Sequence, residues 1–145
     1  MGLRVALRGK RVYFDAMVFI YLVEGFAQLG RALDEIRDSL ESGEAEAVTS
    51  ELTLCETLVR PFAANNAALV TRYRQFIEAS GAFALLPATR ETYVRASLYR
   101  AQFGLKTPDA IHMASAVGAQ CQVFLSNDAA IRAPREIRVV PMRGG

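Results

Sequence analysis

Four acids stand among neighbours that leave little room for a charge. Asp15 is the only charged residue between Val12 and Val23. Glu56 shares a helical stripe with Leu52, Cys55 and Val59, at i, i+3, i+4 and i+7, and the other members are apolar. Asp109 is the only acid in the helical run 108–116, and Asp128 closes the turn Ser126-Asn127-Asp128 after the apolar Val123-Phe124-Leu125. An ionised carboxylate without a partner is costly in an apolar interior, so such groups need a metal, a base or a cage of hydrogen bonds. Gathered together, four carboxylates repel one another unless cations neutralise them. Oxygen-only ligands suit Mg²⁺ or Mn²⁺ rather than zinc. A carboxylate cluster holding such an ion suits phosphodiester hydrolysis, in which a metal-activated water attacks and the ion offsets charge on the phosphate and leaving oxygen.

Each acid also has a purely structural explanation. Asp15 can cap a helix beginning at Ala16. Glu56 can pair with an arginine, Arg60 or a more distant one. Asp109 sits in a first helical turn, where the helix dipole favours an acid. Asp128 fits a turn by its own chemistry. By contrast, Asp34, Glu35, Asp38, Glu41, Glu44 and Glu46 fall on or beside the polar side of one amphipathic helix and read as solvated surface.

The elements that must carry these acids can be read from periodicity and punctuation. Val12-Tyr13-Phe14 reads as a buried strand, and residues 18–23 as a helix stopped by Gly25. Phe26, Leu29, Leu33, Ile36 and Leu40 recur at helical spacing up to Ser42-Gly43. Residues 45–49 make a second strand; Ser50 is expected to cap a helix reaching Val59, with Pro61 opening or bending the next. A helix over 67–79 closes at Gly81, and 83–86 is a third strand. Thr89 caps a helix that stops at Gly104. Thr107-Pro108 opens another helix, with Thr as cap and Pro at its first position. Residues 123–125 and 137–140 are the fourth and fifth strands, and the chain end 142–145 is expected to fray. Strands alternating with helices predict a parallel sheet covered on both faces. Asp15 and Asp128 then follow strand ends, with Glu56 and Asp109 on nearby helices. In such a sheet those ends share one edge, where ligands bind at the switch in strand order.

The stretches 12–21, 49–56, 107–114 and 124–128 resemble the acidic motifs of PIN-domain ribonucleases, in the family's order and over nearly the whole chain. The nearest likeness is to the VapC-type toxins of bacterial toxin–antitoxin pairs. The Asp109-Ala110-Ile111-His112-Met113-Ala114 core is the most specific of the four. The resemblance implies a three-layer α/β/α sandwich around a parallel sheet of about five strands, as one domain over 1–145. It implies Asp15, Glu56, Asp109 and Asp128 as a Mg²⁺- or Mn²⁺-binding catalytic quartet, with Ser126 and Asn127 supporting it. It further implies endonucleolytic cleavage of RNA, a cognate antitoxin and a homodimer. One departure stands out: Met17 occupies a position, two after the first acid, where the family commonly has Asn or Ser. That substitution keeps open a catalytically weak PIN-like module that binds RNA or protein. An aspartate-nucleophile phosphatase using Asp15 fits less well, because it wants a second acid where Met17 stands.

The remaining composition narrows the choices further. At 145 residues the chain suits one domain with a sizeable core. The net charge is +2, rising to +6 once the four acids are set aside, so an acidic cleft lies in a basic surround that suits a polyanion. Arg72, Arg74, Arg95 and Arg100 are candidates for phosphate contacts, although surface solvation explains any one of them. Cys55 and Cys121 belong to no C-x-x-C pair; both are expected as buried, reduced thiols, which fits the cytoplasm. The apolar run 12–23 contains Asp15 and is too short to span a bilayer, so no membrane partner is expected. His112 is the only histidine. It reads as a packed residue bonding a carbonyl or carboxylate rather than as a general base.

Overall fold

The computed structural model describes residues 2–128 and 130–142. Five parallel strands form one sheet in the order β3-β2-β1-β4-β5, with β1 at Arg11–Phe14, β2 at Glu46–Ser50, β3 at Phe83–Leu86, β4 at Val123–Ser126 and β5 at Arg138–Pro141. Among the described residues, seven α-helices flank it: α1 (Leu3–Leu7), α2 (Ala16–Glu24), α3 (Gly30–Ser42), α4 (Leu52–Ala63), α5 (Ala67–Arg74), α6 (Arg90–Phe103) and α7 (Thr107–Gly118). No single helix among the described residues is long and apolar enough to cross a membrane.

The layering follows from side-chain alternation in β1. Val12 and Phe14 point to one face and join Leu3, Leu7, Val18, Phe19, Leu33, Ile36, Tyr73 and Ile77. Tyr13 points to the other and joins Val48, Phe124, Ala96, Tyr99, Ala110, Met113 and Ala114. Helices on both faces bury Val12–Phe14 of β1 and all of β4, which is why these stretches read as apolar runs in sequence. The strand order reverses at β1 and β4, which lie side by side in register Val12↔Val123, Tyr13↔Phe124 and Phe14↔Leu125. The sequence therefore carried the sandwich and its five strands to within a residue or two of each end.

Local chemistry departs from expectation at five places. Ser50 does not cap α4: it ends β2, its hydroxyl meets Tyr13, and Glu51 occupies the cap position without a side-chain bond. Thr107 is the first residue of α7 rather than its cap, which is Lys106. Pro61 lies inside α4 rather than opening the next helix, and without an N–H it cannot donate to the Thr57 carbonyl one turn earlier. Helix α5 gives way at Arg74 to a wide turn of five-residue spacing over Gln75–Ala79. Finally, Met142 is fully buried, and its N–H donates to the Ser126 carbonyl, so the frayed end does not begin there. Residues 143–145 lie outside those described. Helix α1, which the sequence did not announce, packs on α3 through Leu3 and Leu7, and Arg4 clasps Glu44 with two hydrogen bonds of 3.0 and 2.7 Å.

Candidate functional site

The four acids come from four separate elements and lie towards the C-terminal edge of the sheet. Asp15 is the cap of α2: its Oδ1 accepts from the Ala16 N–H at 2.7 Å. The capping explanation for Asp15 is thus borne out, and it occupies only one carboxylate oxygen. The other, Oδ2, accepts from Ser126 Oγ at 3.1 Å. The backbone repeats the connection, because the Asp15 N–H donates to the Leu125 carbonyl at 3.1 Å. Ser126 Oγ also accepts from the Asp128 N–H at 3.1 Å, so one buried hydroxyl ties the first acid to the loop bearing the last. Asp128 itself is exposed, and its Oδ1 accepts from the Ala130 N–H at 2.9 Å, the turn chemistry expected of it. Asn127 Nδ2 donates to the Tyr21 hydroxyl at 3.3 Å.

Glu56 is placed by hydroxyl packing rather than by an aliphatic stripe. The buried face of α4 is Thr53, Thr57 and Pro61, whereas Cys55 is exposed and Val59 is 60% exposed. Thr49 Oγ1 donates to the Phe14 carbonyl at 2.9 Å and lies 2.8 Å from Thr53 Oγ1. Thr57 Oγ1 then donates to the Thr53 carbonyl at 2.8 Å. These bonds pin α4 to the ends of β1 and β2. Threonine reads as polar in a hydrophobic pattern, so the stripe of Leu52, Cys55 and Val59 lies one residue off the buried face. The partner of Glu56 is not Arg60. It is His112, whose Nε2 contacts Glu56 Oε1 and stands 3.9 Å from Asp15 Oδ1.

Asp109 lies in the first turn of α7, half-buried, as the dipole explanation requires. Its carboxyl is pushed above the ordinary range, first by burial and then by the negative charge of Asp15; Glu56 and Asp128 push the same way, and His112 opposes them. All four acids thus share one field. Among the described residues, no three acid, His or Cys side chains converge into a ready-made ion cage. The donor chemistry nonetheless fits a hard divalent cation. The oxygens are carboxylate oxygens, and burial together with the neighbouring negative charges disfavours the ionised form of Asp109, a cost that a cation would offset. Met17 is 38% exposed in the first turn of α2.

Comparison with known proteins gives the family and the fold. The PIN domain family profile matches residues 12–136, and the chain belongs to that family. PIN domains are typically nucleases, and those generally use divalent metal ions. A curated-protein search gives no match. Among solved structures, the chain is similar to a toxin–antitoxin complex from Klebsiella pneumoniae (TM-score 0.67, 21% identity, 90% of this chain and 97% of that one). It is also similar to VapBC2 from Rickettsia felis bound to a promoter DNA fragment (TM-score 0.69, 6% identity, 90% and 97%). FitAcB from Neisseria gonorrhoeae is a third (TM-score 0.65, 18% identity, 90% and 97%). At these identities the likeness carries the shared fold.

Proposed function

We propose that the protein is a metal-dependent endoribonuclease and the toxin of a toxin–antitoxin pair. The observation that carries this reading is the placement of Asp15, Glu56, Asp109 and Asp128 on four elements beside the switch in strand order, where Asp15 accepts from Ser126 and His112 contacts Glu56 while standing 3.9 Å from Asp15. Asp15, Glu56, Asp109 and Asp128 would hold Mg²⁺ or Mn²⁺. The ion would supply an activated water and a counter-charge for the phosphate. Ser126 keeps Asp15 and the Asp128 loop in register, and the cap on α2 fixes the Asp15 side chain. The basic remainder of the surface attracts the polyanion.

An antitoxin partner is supported by the toxin–antitoxin complexes among the fold's relatives. A homodimer is supported by the exposed apolar ridge of α4, where Val59 and Phe62 are 60% and 61% exposed beside the exposed Cys55. Two free thiols suit a reducing cytoplasm. A module that binds RNA without cutting it is favoured by the open spacing of the acids and by Met17.

One assay separates these readings. A labelled structured RNA is incubated with the wild type, Asp109→Asn and His112→Ala, with and without EDTA. Nuclease action predicts cleavage that EDTA stops and Asp109→Asn abolishes, while His112→Ala retains measurable activity. Cleavage that persists in EDTA, or that survives Asp109→Asn and dies with His112→Ala, overturns the metal reading. Binding of RNA without cleavage, across a panel of RNAs, supports the module instead.

A further inference from the structure

We propose that His112 is the positioning residue of Glu56, and that Tyr13 and Ser50 hold His112 in that role. The inference rests on the metal reading above but concerns a different set of atoms. A buried chain of polar groups runs inward from the acidic edge. Glu56 Oε1 contacts His112 Nε2; His112 Nδ1 lies 2.6 Å from the Tyr13 hydroxyl; that hydroxyl lies 2.8 Å from Ser50 Oγ. His112 is 1% exposed, and Tyr13 and Ser50 are fully buried.

Counting hydrogens fixes the direction of the chain. With Glu56 a carboxylate, it can only accept, so Nε2 must carry a hydrogen. Tyr13 has one hydrogen for two neighbours. If it donates to Ser50, Nδ1 donates to Tyr13 and the ring carries both hydrogens. If Ser50 donates to Tyr13, Tyr13 donates to Nδ1 and the neutral ring keeps its hydrogen on Nε2. Both arrangements present Nε2–H to Glu56, and both leave no ring lone pair facing the acids. His112 is thereby neither a ligand nor a base. It is a donor whose bond selects one carboxylate orientation, the kind of support behind a metal ligand that typically governs affinity by 10- to 100-fold.

The scaffold of this donor is rigid. Tyr13 stacks on Phe124 of the neighbouring strand, with centroids 5.4 Å apart and planes 11° from parallel. His112 meets the Tyr13 ring at 62°. A phenylalanine would fill the Tyr13 site equally well by volume. The hydroxyl is what the network uses. Because His112 lies one helical turn after Asp109, the same contact also sets α7 against α4, and so Asp109 against Glu56.

The test exploits the fact that this is the only imidazole in the chain. Nitrogen-15 spectra of the histidine-labelled protein read its hydrogens directly, without metal; Nε2 protonated at neutral pH is expected, and a bare Nε2 overturns the proposal. Calorimetric titration with Mn²⁺ then compares variants. His112→Ala should weaken binding about 10- to 100-fold. His112→Gln, whose amide N–H can reach Glu56, should recover most of the loss, and Tyr13→Phe should fall between wild type and His112→Ala. Melting in chelator identifies any variant that fails to fold; should His112→Ala fail, His112→Gln and Tyr13→Phe decide the question. Wild-type binding that is indifferent to these changes overturns the positioning role alone. Absence of Mn²⁺ binding in the wild type overturns the metal reading and the role with it.

Discussion

Ser126 and Asp15, far apart in sequence, are joined by a hydrogen bond of 3.1 Å from Oγ to Oδ2. The same hydroxyl accepts from the Asp128 N–H, so the ends of β1 and β4 share one small linchpin. Ser126→Ala would leave the Asp128 N–H without this acceptor and Asp15 Oδ2 without this donor. We expect weakened Mn²⁺ binding and a stability loss of about 1–3 kcal/mol, because two hydrogen bonds are lost together and their partners are left unpaired. Calorimetric titration and urea denaturation check the two parts separately.

Asp15→Asn isolates charge from capping. Asn caps a helix about as well as Asp, so the start of α2 should survive, and with the Asp15–Asp109 repulsion removed the melting temperature in chelator should be unchanged or higher. Binding of Mg²⁺ and Mn²⁺ should be lost. Equal binding by both proteins in a calorimeter would refute Asp15 as a ligand.

Asp109 carries a pH signature. Its carboxyl titrates above the ordinary 3.8 in the fold, so the folded chain holds that proton to higher pH than the unfolded chain does. Its contribution is therefore fully present below the ordinary value and is lost as pH rises through the elevated one. In chelator, Asp109→Asn should melt at a higher temperature than wild type at neutral pH. The gap should close as pH falls below about 4. Saturating Mg²⁺ should shrink it at pH 7 by supplying the missing counter-charge. Thermal melts across pH, with and without metal, measure all three arms.

Glu56 can be tested as the acceptor of His112. Glu56→Gln keeps an oxygen for the Nε2–H and relieves repulsion among the acids, so its cost in chelator should stay under about 1 kcal/mol. Glu56→Ala strands a buried donor and should cost about 1–3 kcal/mol. Equal costs for the two variants would show that the acceptor is immaterial.

The apolar ridge of α4 gives a prediction about assembly. Phe62→Glu replaces a side chain that is 61% exposed, so the fold should tolerate it. Light scattering should show a dimeric wild type and a monomeric variant. A wild type that remains monomeric at high concentration would remove the ridge from consideration as a self-interface.

The sandwich was legible because its central strands are buried on both faces. Val12-Tyr13-Phe14 and Val123-Phe124-Leu125 are unbroken apolar runs, and Gly25, Gly43, Gly81 and Gly104 mark element ends with positive φ. Asp15 and Glu56 stood out as charges among apolar neighbours in sequence, whereas Asp109 and Asp128 also fitted a helix start and a turn. What escaped were features set by partners distant in sequence. Ser50 looked like a cap because its neighbour Tyr13 lies on another strand. Glu56 looked as though it faced an apolar stripe because the hydroxyls of Thr53 and Thr57 do the packing through Thr49 and the backbone. The Glu56–His112 contact depends on how α4 and α7 meet across the sheet edge, which no local pattern encodes. Helix α1, at five residues, is too short to show a period.

Cys55 and Cys121 were both expected in the interior, and they divide instead. Cys121 is buried, with its thiol pushed up to about 11, and is poorly disposed to react as a thiolate. Cys55 is exposed, next to Glu56 in sequence and beside Val59 and Phe62 on the same helix. The unmodified sequence thus offers a built-in attachment point for a single maleimide dye or spin label, with no cysteine to engineer in or out. A probe there sits between the acidic edge and the apolar ridge. Its labelling rate would report what covers the ridge, and its spectrum would report what enters the edge, in one preparation of the natural chain.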